Sequence, residues 1–177
     1  DNDGDPDDDG NGFVDDQYGY DFYDDEGDPM DEDGHGTHVA GTIGAEANST
    51  GVVGVNWDVQ IAALRWLGPR GFGLISDAVD AVRYSTQEGF PITNNSWGGG
   101  GYSLTLKTAI AQAHDTADQL FVAAAGNSGI NTDEFATYPA SYNLENIVSV
   151  AATNPNDELS TWPENPFSAS NYGEETV

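Results

Sequence analysis

Hydrophobic and polar positions become periodic after residue 34, and from there the pattern alternates between helices and short strands. Apolar residues recur at helical spacing over 35–46, after a glycine, and over 76–88, where Ser76 is placed to cap the helix and Gly89 to stop it. Ser103 is placed to begin a third helix that runs to about residue 116. Short apolar runs predict strands at 60–67, 91–95, 120–124 and 147–151.

The alternation of strands and helices predicts an α/β domain with a largely parallel sheet. Ligands bind beyond the carboxyl ends of the strands in such sheets. Polar and glycine-rich segments at 95–98 and 126–128 directly follow two of the predicted strands. We therefore expect these two segments to line a ligand crevice.

Composition narrows the class of protein further. The 177 residues suffice for one domain, and a net charge of -27 argues against binding to a nucleic-acid backbone. The chain has no cysteine, which excludes disulfides, thiolate metal sites and a cysteine nucleophile. It also has no apolar run of the ~18 residues that a membrane span needs, so no membrane partner is expected.

The acidity is concentrated at the start of the chain. Residues 1–34 carry 16 of the 31 acidic residues and no Lys or Arg. A solvated, disordered tail is one interpretation of such a block. However, Gly and Pro interrupt the acids at short intervals, and aromatic residues follow directly, as in a loop attached to a core. We treat residues 1–34 as an acidic loop region of the same domain that continues over 35–177.

The spacing of these acids predicts a calcium-binding loop. Oxygen-bearing side chains at alternate positions followed by Gly are typical of loops that surround one Ca²⁺ ion. Two overlapping registers fit, and no helix flanks them as in an EF-hand. The candidate ligands in the two registers are Asp5, Asp7, Asp9, Asn11, Asp15 and Asp16.

Three motifs occur in one order along the rest of the chain. They are Asp-Gly-His-Gly-Thr-His-Val-Ala-Gly at 33–41, Asn-Asn-Ser-Trp-Gly-Gly at 94–99 and Ala-Ala-Ala-Gly-Asn at 123–127. The first resembles the histidine motif of the subtilisin-like serine proteases. The second resembles the substrate-binding strand of that family, and the third its oxyanion-hole segment. The resemblance extends from about Asp7 to the end of the chain, and it implies a subtilisin-like fold with a mostly parallel central sheet and helices on both faces.

The resemblance implies a role for each motif. His35 is expected to be the general base of an Asp–His–Ser triad, and Asn127 to donate a hydrogen bond to the oxyanion of the tetrahedral intermediate. An Asn that only holds a turn and glycines that only form turns are the structural alternatives. The expected substrate-binding residues, which would pair with peptide backbone and wall a specificity pocket, are Ser96, Trp97, Gly98, Ala123, Ala124 and Gly126.

The resemblance also implies a second calcium region between the first loop and His35. Its candidate ligands are Asp21, Asp24, Glu26 and Asp28, with a carbonyl near Met30. Acids that merely repel one another at the surface are the alternative. Calcium bound here would order the loop before His35 and so couple structural Ca²⁺ to stability and activity.

Two parts of the family pattern are missing from the printed sequence. The family's aspartate lies in an Asp-Thr/Ser-Gly context and its serine in Gly-Thr-Ser-Met-Ala, and neither string occurs here. We expect an internal piece of a secreted endopeptidase domain, truncated at both ends and inactive alone. The expected partners are a protein or peptide substrate and a propeptide or inhibitor, and the expected state is a monomer. The alternative is a non-catalytic calcium-binding module that has lost its triad.

Overall fold

The computed structural model describes residues 7, 9–162 and 168–177. The chain divides into two compact units, residues 1–81 and residues 82–177. Along the chain, the helices and strands are β1 (Gly19–Asp21), α1 (His35–Gly44), β2 (Ala63–Arg65), α2 (Ile75–Gln87), β3 (Ile92–Asn95), α3 (Leu104–Ala117), β4 (Leu120–Ala124) and β5 (Ile147–Val150).

In the first unit, β1 and β2 pair in parallel with Gly19 opposite Ala63 and Asp21 opposite Arg65. Gly19 has φ of +120°, and a Cβ there would lie 1.9 Å from the Ala63 carbonyl oxygen. Only glycine fits at this position, because any side chain would collide with the neighbouring strand. All three residues of β1 are buried.

An aromatic cluster attaches the acidic loop to the first unit. The ring of Phe13 packs edge-on against Tyr20 at 4.9 Å and against Phe22 at 5.9 Å between centroids. Tyr20 and Phe22 also contact each other, at 5.1 Å. Such ring pairs add to the burial of apolar area. The part of the acidic region that contains these rings is therefore held together within the first unit.

The second unit contains a three-stranded parallel sheet in the order β3–β4–β5. Helix α3 contributes buried residues at helical spacing, Leu106, Ala109, Ile110 and Ala113, and Phe121 of β4 is fully buried. The Ser103 hydroxyl accepts the amide of Leu106 at 3.3 Å and so caps α3, as predicted.

Buried amide side chains connect the elements of this second unit. The side chain of Gln119 donates to the carbonyls of Ser85 and Phe90 at 3.1 and 2.7 Å. Asn146 donates to the carbonyls of Ile110 and Gln119 at 3.0 and 3.1 Å. The bonded carbonyls lie in α2 and α3 and just before β3 and β4, so the two amides link helices to strands while their own buried polar groups find partners.

The predicted α/β class with parallel pairing is confirmed, and three local predictions need correction. No strand is predicted at 19–21, where β1 lies. Strand β2 is shorter than the predicted 60–67 and half exposed rather than buried. Helix α2 begins at Ile75, so Ser76 lies inside it, where its hydroxyl bonds to Asp77 at 2.9 Å instead of capping the helix. Within the described residues, every helix is too short or too polar to span a bilayer.

Candidate active site

His35 is the first residue of α1, directly after Gly34, whose left-handed φ of 98° makes the turn into the helix. The Asp31 carboxylate closes this turn. It accepts the amides of Gly34 and Thr37, both at 2.8 Å, the Thr37 hydroxyl at 2.7 Å and the amide of Asp33 at 3.0 Å. The imidazole of His35 is therefore carried on a fixed turn, and the residue is exposed.

The same contacts determine the ionisation of Asp31. The hydrogen bonds from the Gly34 amide and from Thr37 hold the pKa of the Asp31 carboxyl well below its usual range. Asp31 thus remains an anion at the helix N-terminus, where negative charge is favourable. Sequence reasoning missed this residue, although an acid a few residues before a Gly-initiated helix is a recognisable capping signal.

The segment after β3 is held by its own side chains. The Trp97 indole donates to the side-chain Oδ1 of Asn95 at 3.1 Å and packs edge-on against Phe121 at 6.3 Å. The Ser96 hydroxyl accepts the Asn94 amide at 2.9 Å. Gly98 is exposed. Exposed backbone is available at Gly98 for a ligand, whereas the Trp97 ring is partly committed to the core.

The segment at the end of β4 presents its residues unequally. Ala123 is 1 % exposed, while Ala124 is half-buried, because successive strand residues face opposite sides of a sheet. Gly126 turns the chain with φ of +106°, and Asn127 follows it as an exposed residue. Of this group, Ala124, Gly126 and Asn127 can meet a ligand directly, whereas Ala123 is buried.

The structure brings several predicted ligands of the first acidic loop together. The Asn11 amide nitrogen donates to Asp16 at 2.8 Å and to Asp9 at 3.2 Å, and the Gly12 amide donates to Asp7 at 3.1 Å. Asp15 is exposed with a left-handed φ of 58°. Asp5 lies outside the described residues.

The carboxylates of the second acidic region lie around the positively charged side chain of Arg65. Arg65 pairs with the fully buried Asp21, with Asp24 at 2.9 Å and with Glu32 at 2.7 Å. Burial opposes the charge on Arg65, but its hydrogen bonds to Asp21 and Asp24 outweigh this effect and raise its pKa. The backbone of Glu26 pairs with that of Asp21, and Asp28 is exposed. Sequence reasoning missed Arg65 here, because nothing in the sequence showed β1 lying beside β2.

The two acidic regions differ as metal sites. Among the described residues, no group of three or more His, Asp or Glu side chains is arranged to hold a metal ion. In the first loop, the side chain that lies among the carboxylates is the neutral Asn11. In the second region, the carboxylates of Asp21 and Asp24 already pair with the positively charged Arg65.

Comparison with known proteins identifies the family of the chain. The model of the family described as "Subtilase family" matches residues 2–176. A "Thermophilic serine proteinase" of Bacillus sp. (strain AK1) is 40% identical over 156 residues, which cover 88% of this chain and 36% of that protein. "Subtilisin DY" of Bacillus licheniformis is 40% identical over 127 residues, covering 71% of this chain and 45% of that protein.

A solved structure agrees with these relatives. The crystal structure of a cold adapted subtilisin-like serine proteinase superposes with a TM-score of 0.69 at 36% identity, covering 84% of this chain and 50% of that one. The chain thus spans half or less of the length of these three proteins.

Proposed function

The chain belongs to the subtilase family, and from this premise we propose that it is part of a serine endopeptidase that hydrolyses peptide bonds in proteins. One observation carries the proposal. The family match spans residues 2–176, and within it the histidine motif stands where Asp31 and Gly34 fix His35 at the start of α1. The expected substrate is an extended protein or peptide.

His35 is the proposed general base. Its imidazole takes the proton of the serine hydroxyl during attack on the carbonyl carbon, and then gives that proton to the leaving amine. Imidazole suits this role because it changes charge near neutral pH. The turn held by Asp31 would keep the ring in one place, so that orientation is prepared before substrate binds.

Asn127 is the proposed oxyanion donor. Its exposed side chain follows the turn at Gly126 and can donate a hydrogen bond to the negative oxygen of the tetrahedral intermediate. Such a donor contributes about 3–4 kcal/mol of transition-state stabilisation in comparable enzymes. Exposed backbone at Gly98, with Ser96 and Trp97 behind it, would pair with the extended substrate.

We assign structural calcium to the first acidic loop. Its candidate ligands are mostly carboxylate oxygens, which a hard cation prefers, and the Asn11 side-chain nitrogen donates to both Asp9 and Asp16, so these two carboxylates lie near one another. Calcium there would neutralise repelling carboxylates and stabilise the loop on its aromatic anchor. The region 21–28 remains a prediction, since Arg65 already neutralises Asp21 and Asp24. Because a protein that needs bound calcium for stability is expected to act outside the cell, we propose that the full-length protein is secreted.

Kinetics of the full-length protein that contains this chain test the function. Replacing His35 by Ala should lower kcat on a peptide substrate by about 10⁴-fold or more, because the triad acts as one unit. His114→Ala is the matched control, since His114 lies on α3 with its imidazole 3.7 Å from the Asp118 carboxylate. Retained proteolysis in His35→Ala would refute the catalytic role of His35, whereas a wild-type protein without proteolysis would favour the non-catalytic calcium-binding module.

A further inference from the structure

The turn that carries Asn127 is paired along its length with the segment 168–172. Parallel bridges join Ser128 to Ala169 and Asn131 to Tyr172. The Gly129 amide donates to the Ala169 carbonyl at 2.9 Å, and the Tyr172 amide donates to the Ile130 carbonyl at 3.1 Å. A segment more than 40 residues away in sequence therefore holds the backbone that follows β4.

Asn171 lies at the centre of this pairing. Its side chain, 1 % exposed, accepts the amides of Ser128 and Ile130 at 2.9 and 3.2 Å and donates to the Ala125 carbonyl at 2.9 Å. Its backbone amide donates to the Gly126 carbonyl at 2.8 Å. One buried residue thus bonds to the chain on both sides of Asn127. A buried polar network that is satisfied in this way makes the surrounding backbone rigid.

Two further features, at Gly126 and at Ser168, hold the turn around Asn127 against the segment 168–172. A Cβ on Gly126 would lie 2.5 Å from the Asn171 amide nitrogen, so the glycine lets the side chain approach the backbone. The Ser168 hydroxyl donates to the carbonyl of Asn127 itself, at 2.9 Å. The peptide units around Asn127 are therefore fixed, while its side chain remains exposed.

We propose that Asn171, assisted by Ser168, is a positioning residue that aims the Asn127 side chain at the oxyanion. The inference rests on the proposed function, since it assumes that Asn127 is the oxyanion donor. A donor stabilises the transition state only when it is already aimed at the position of the developing charge. A displacement of about 1 Å can cost about 10²-fold in rate.

The test compares Asn171→Asp with a matched variant in the full-length protein. Asn171→Asp keeps the acceptor for Ser128 and Ile130 but replaces the donor to Ala125 with a repelling oxygen. Asn146→Asp causes the same kind of damage elsewhere in this unit, because Asn146 is also buried and donates to two backbone carbonyls. The measurements are kcat and KM on a peptide amide substrate, with melting temperatures for each variant.

We expect Asn171→Asp to lower kcat by about 10- to 100-fold with KM nearly unchanged, as for an interaction made only in the transition state. Asn146→Asp should lower the melting temperature comparably and leave kcat close to that of the wild type. Equal kcat values for Asn171→Asp and Asn146→Asp would overturn the proposal, since the residue would then be only structural.

A double-mutant cycle separates this proposal from the function on which it rests. Asn127→Ala should lower kcat by about 10²- to 10³-fold, and adding Asn171→Asp to it should have little further effect. If Asn127→Ala leaves kcat unchanged, the oxyanion assignment fails, and the positioning role fails with it. If Asn127→Ala lowers kcat but the two losses multiply, only the positioning role fails.

Ser168→Ala keeps the proposal testable if Asn171→Asp does not fold. Ser168 is half-buried and its hydroxyl donates one hydrogen bond to Asn127, so removing it should lower the melting temperature only slightly while lowering kcat a few-fold. In that case an unchanged kcat in Ser168→Ala would overturn the proposal.

Discussion

At the scale of single residues, the turn before His35 depends on one carboxylate. Asp31 accepts four hydrogen bonds from Asp33, Gly34 and Thr37, just before and at the start of α1, and they hold its pKa well below the usual range. A capping carboxylate of this kind stabilises a helix by about 1 kcal/mol. Since His35 is the first residue of that helix, the same contacts should affect both stability and catalysis.

Replacing Asp31 by Asn should therefore lower the free energy of unfolding by about 1 kcal/mol at neutral pH. The amide keeps only one acceptor oxygen and presents an N–H group to the donors at the helix start. It should also lower kcat/KM, because the His35 turn loosens. Denaturant unfolding and peptide hydrolysis of the full-length protein measure the two effects.

The stability effect should also depend on pH, with a definite sign. The folded-state pKa of Asp31 is depressed, so its stabilisation is complete above the ordinary Asp pKa of about 3.9 and is lost as pH falls toward the folded value. The difference between wild type and Asp31→Asn should shrink on acidification. Asp33→Asn removes the same charge nearby without removing the cap, and an equal loss in that variant would contradict the role of Asp31.

Single residues also show the limit of sequence reasoning at this site. His35 and Asn127 stand in recognisable motifs, so sequence could propose them. Asn171 gave no such signal, because its role comes from contacts with residues 125–130, which only the fold brings to it. Asp31 gave a local capping signal, and it was overlooked among 16 acidic residues.

At the scale of helices and strands, the sequence predicted the elements that have a clear local pattern of hydrophobic residues. Helices α1 and α3 and strand β4 follow clear periodicity or a continuous apolar run, and α3 has its Ser103 cap. Strand β1 is only three residues long and has a glycine and an aspartate at its ends, which locally favour a turn. It is a strand because of β2, and Asp21 is buried because Arg65 lies opposite it.

The acidic loop supports a prediction at this scale. Removing calcium from the full-length protein with a chelator should lower its melting temperature, and added Ca²⁺, but not Mg²⁺, should restore it. Asp16→Asn should reduce this response, because Asp16 is one of the candidate calcium ligands of the loop and accepts a hydrogen bond from the Asn11 side chain. Asp58→Asn, which removes an exposed acid outside the loop, is the control and should leave the response intact.

An unchanged melting temperature after chelation would contradict the calcium assignment. A calcium response that survives Asp16→Asn but is lost when Asp24 is replaced by Asn would move the site to the second acidic region. Arg65 would then have to give up its bond to Asp24.

At the scale of the whole molecule, more than half of the acidic residues behind the net charge of -27 lie in the first 34 residues. Residues 1–34 hold 16 acids, and the structure attaches part of this region to the first unit through Phe13, Tyr20 and Phe22. Arg65 neutralises carboxylates that lie far away in sequence, which the charge pattern could not indicate. The fold class was predictable because parallel strands alternate with helices, whereas these long-range pairings were not.

Covalent labelling of the full-length protein by a serine-directed fluorophosphonate tests the central claim, that this chain supplies the general base of a serine endopeptidase. Intact mass should show one reagent bound per wild-type molecule, with proteolysis lost in proportion. In His35→Ala the labelling rate should fall by orders of magnitude, because no base activates the serine. A wild-type protein that cleaves peptides but is never labelled, or a His35→Ala variant labelled at the wild-type rate, would contradict the account.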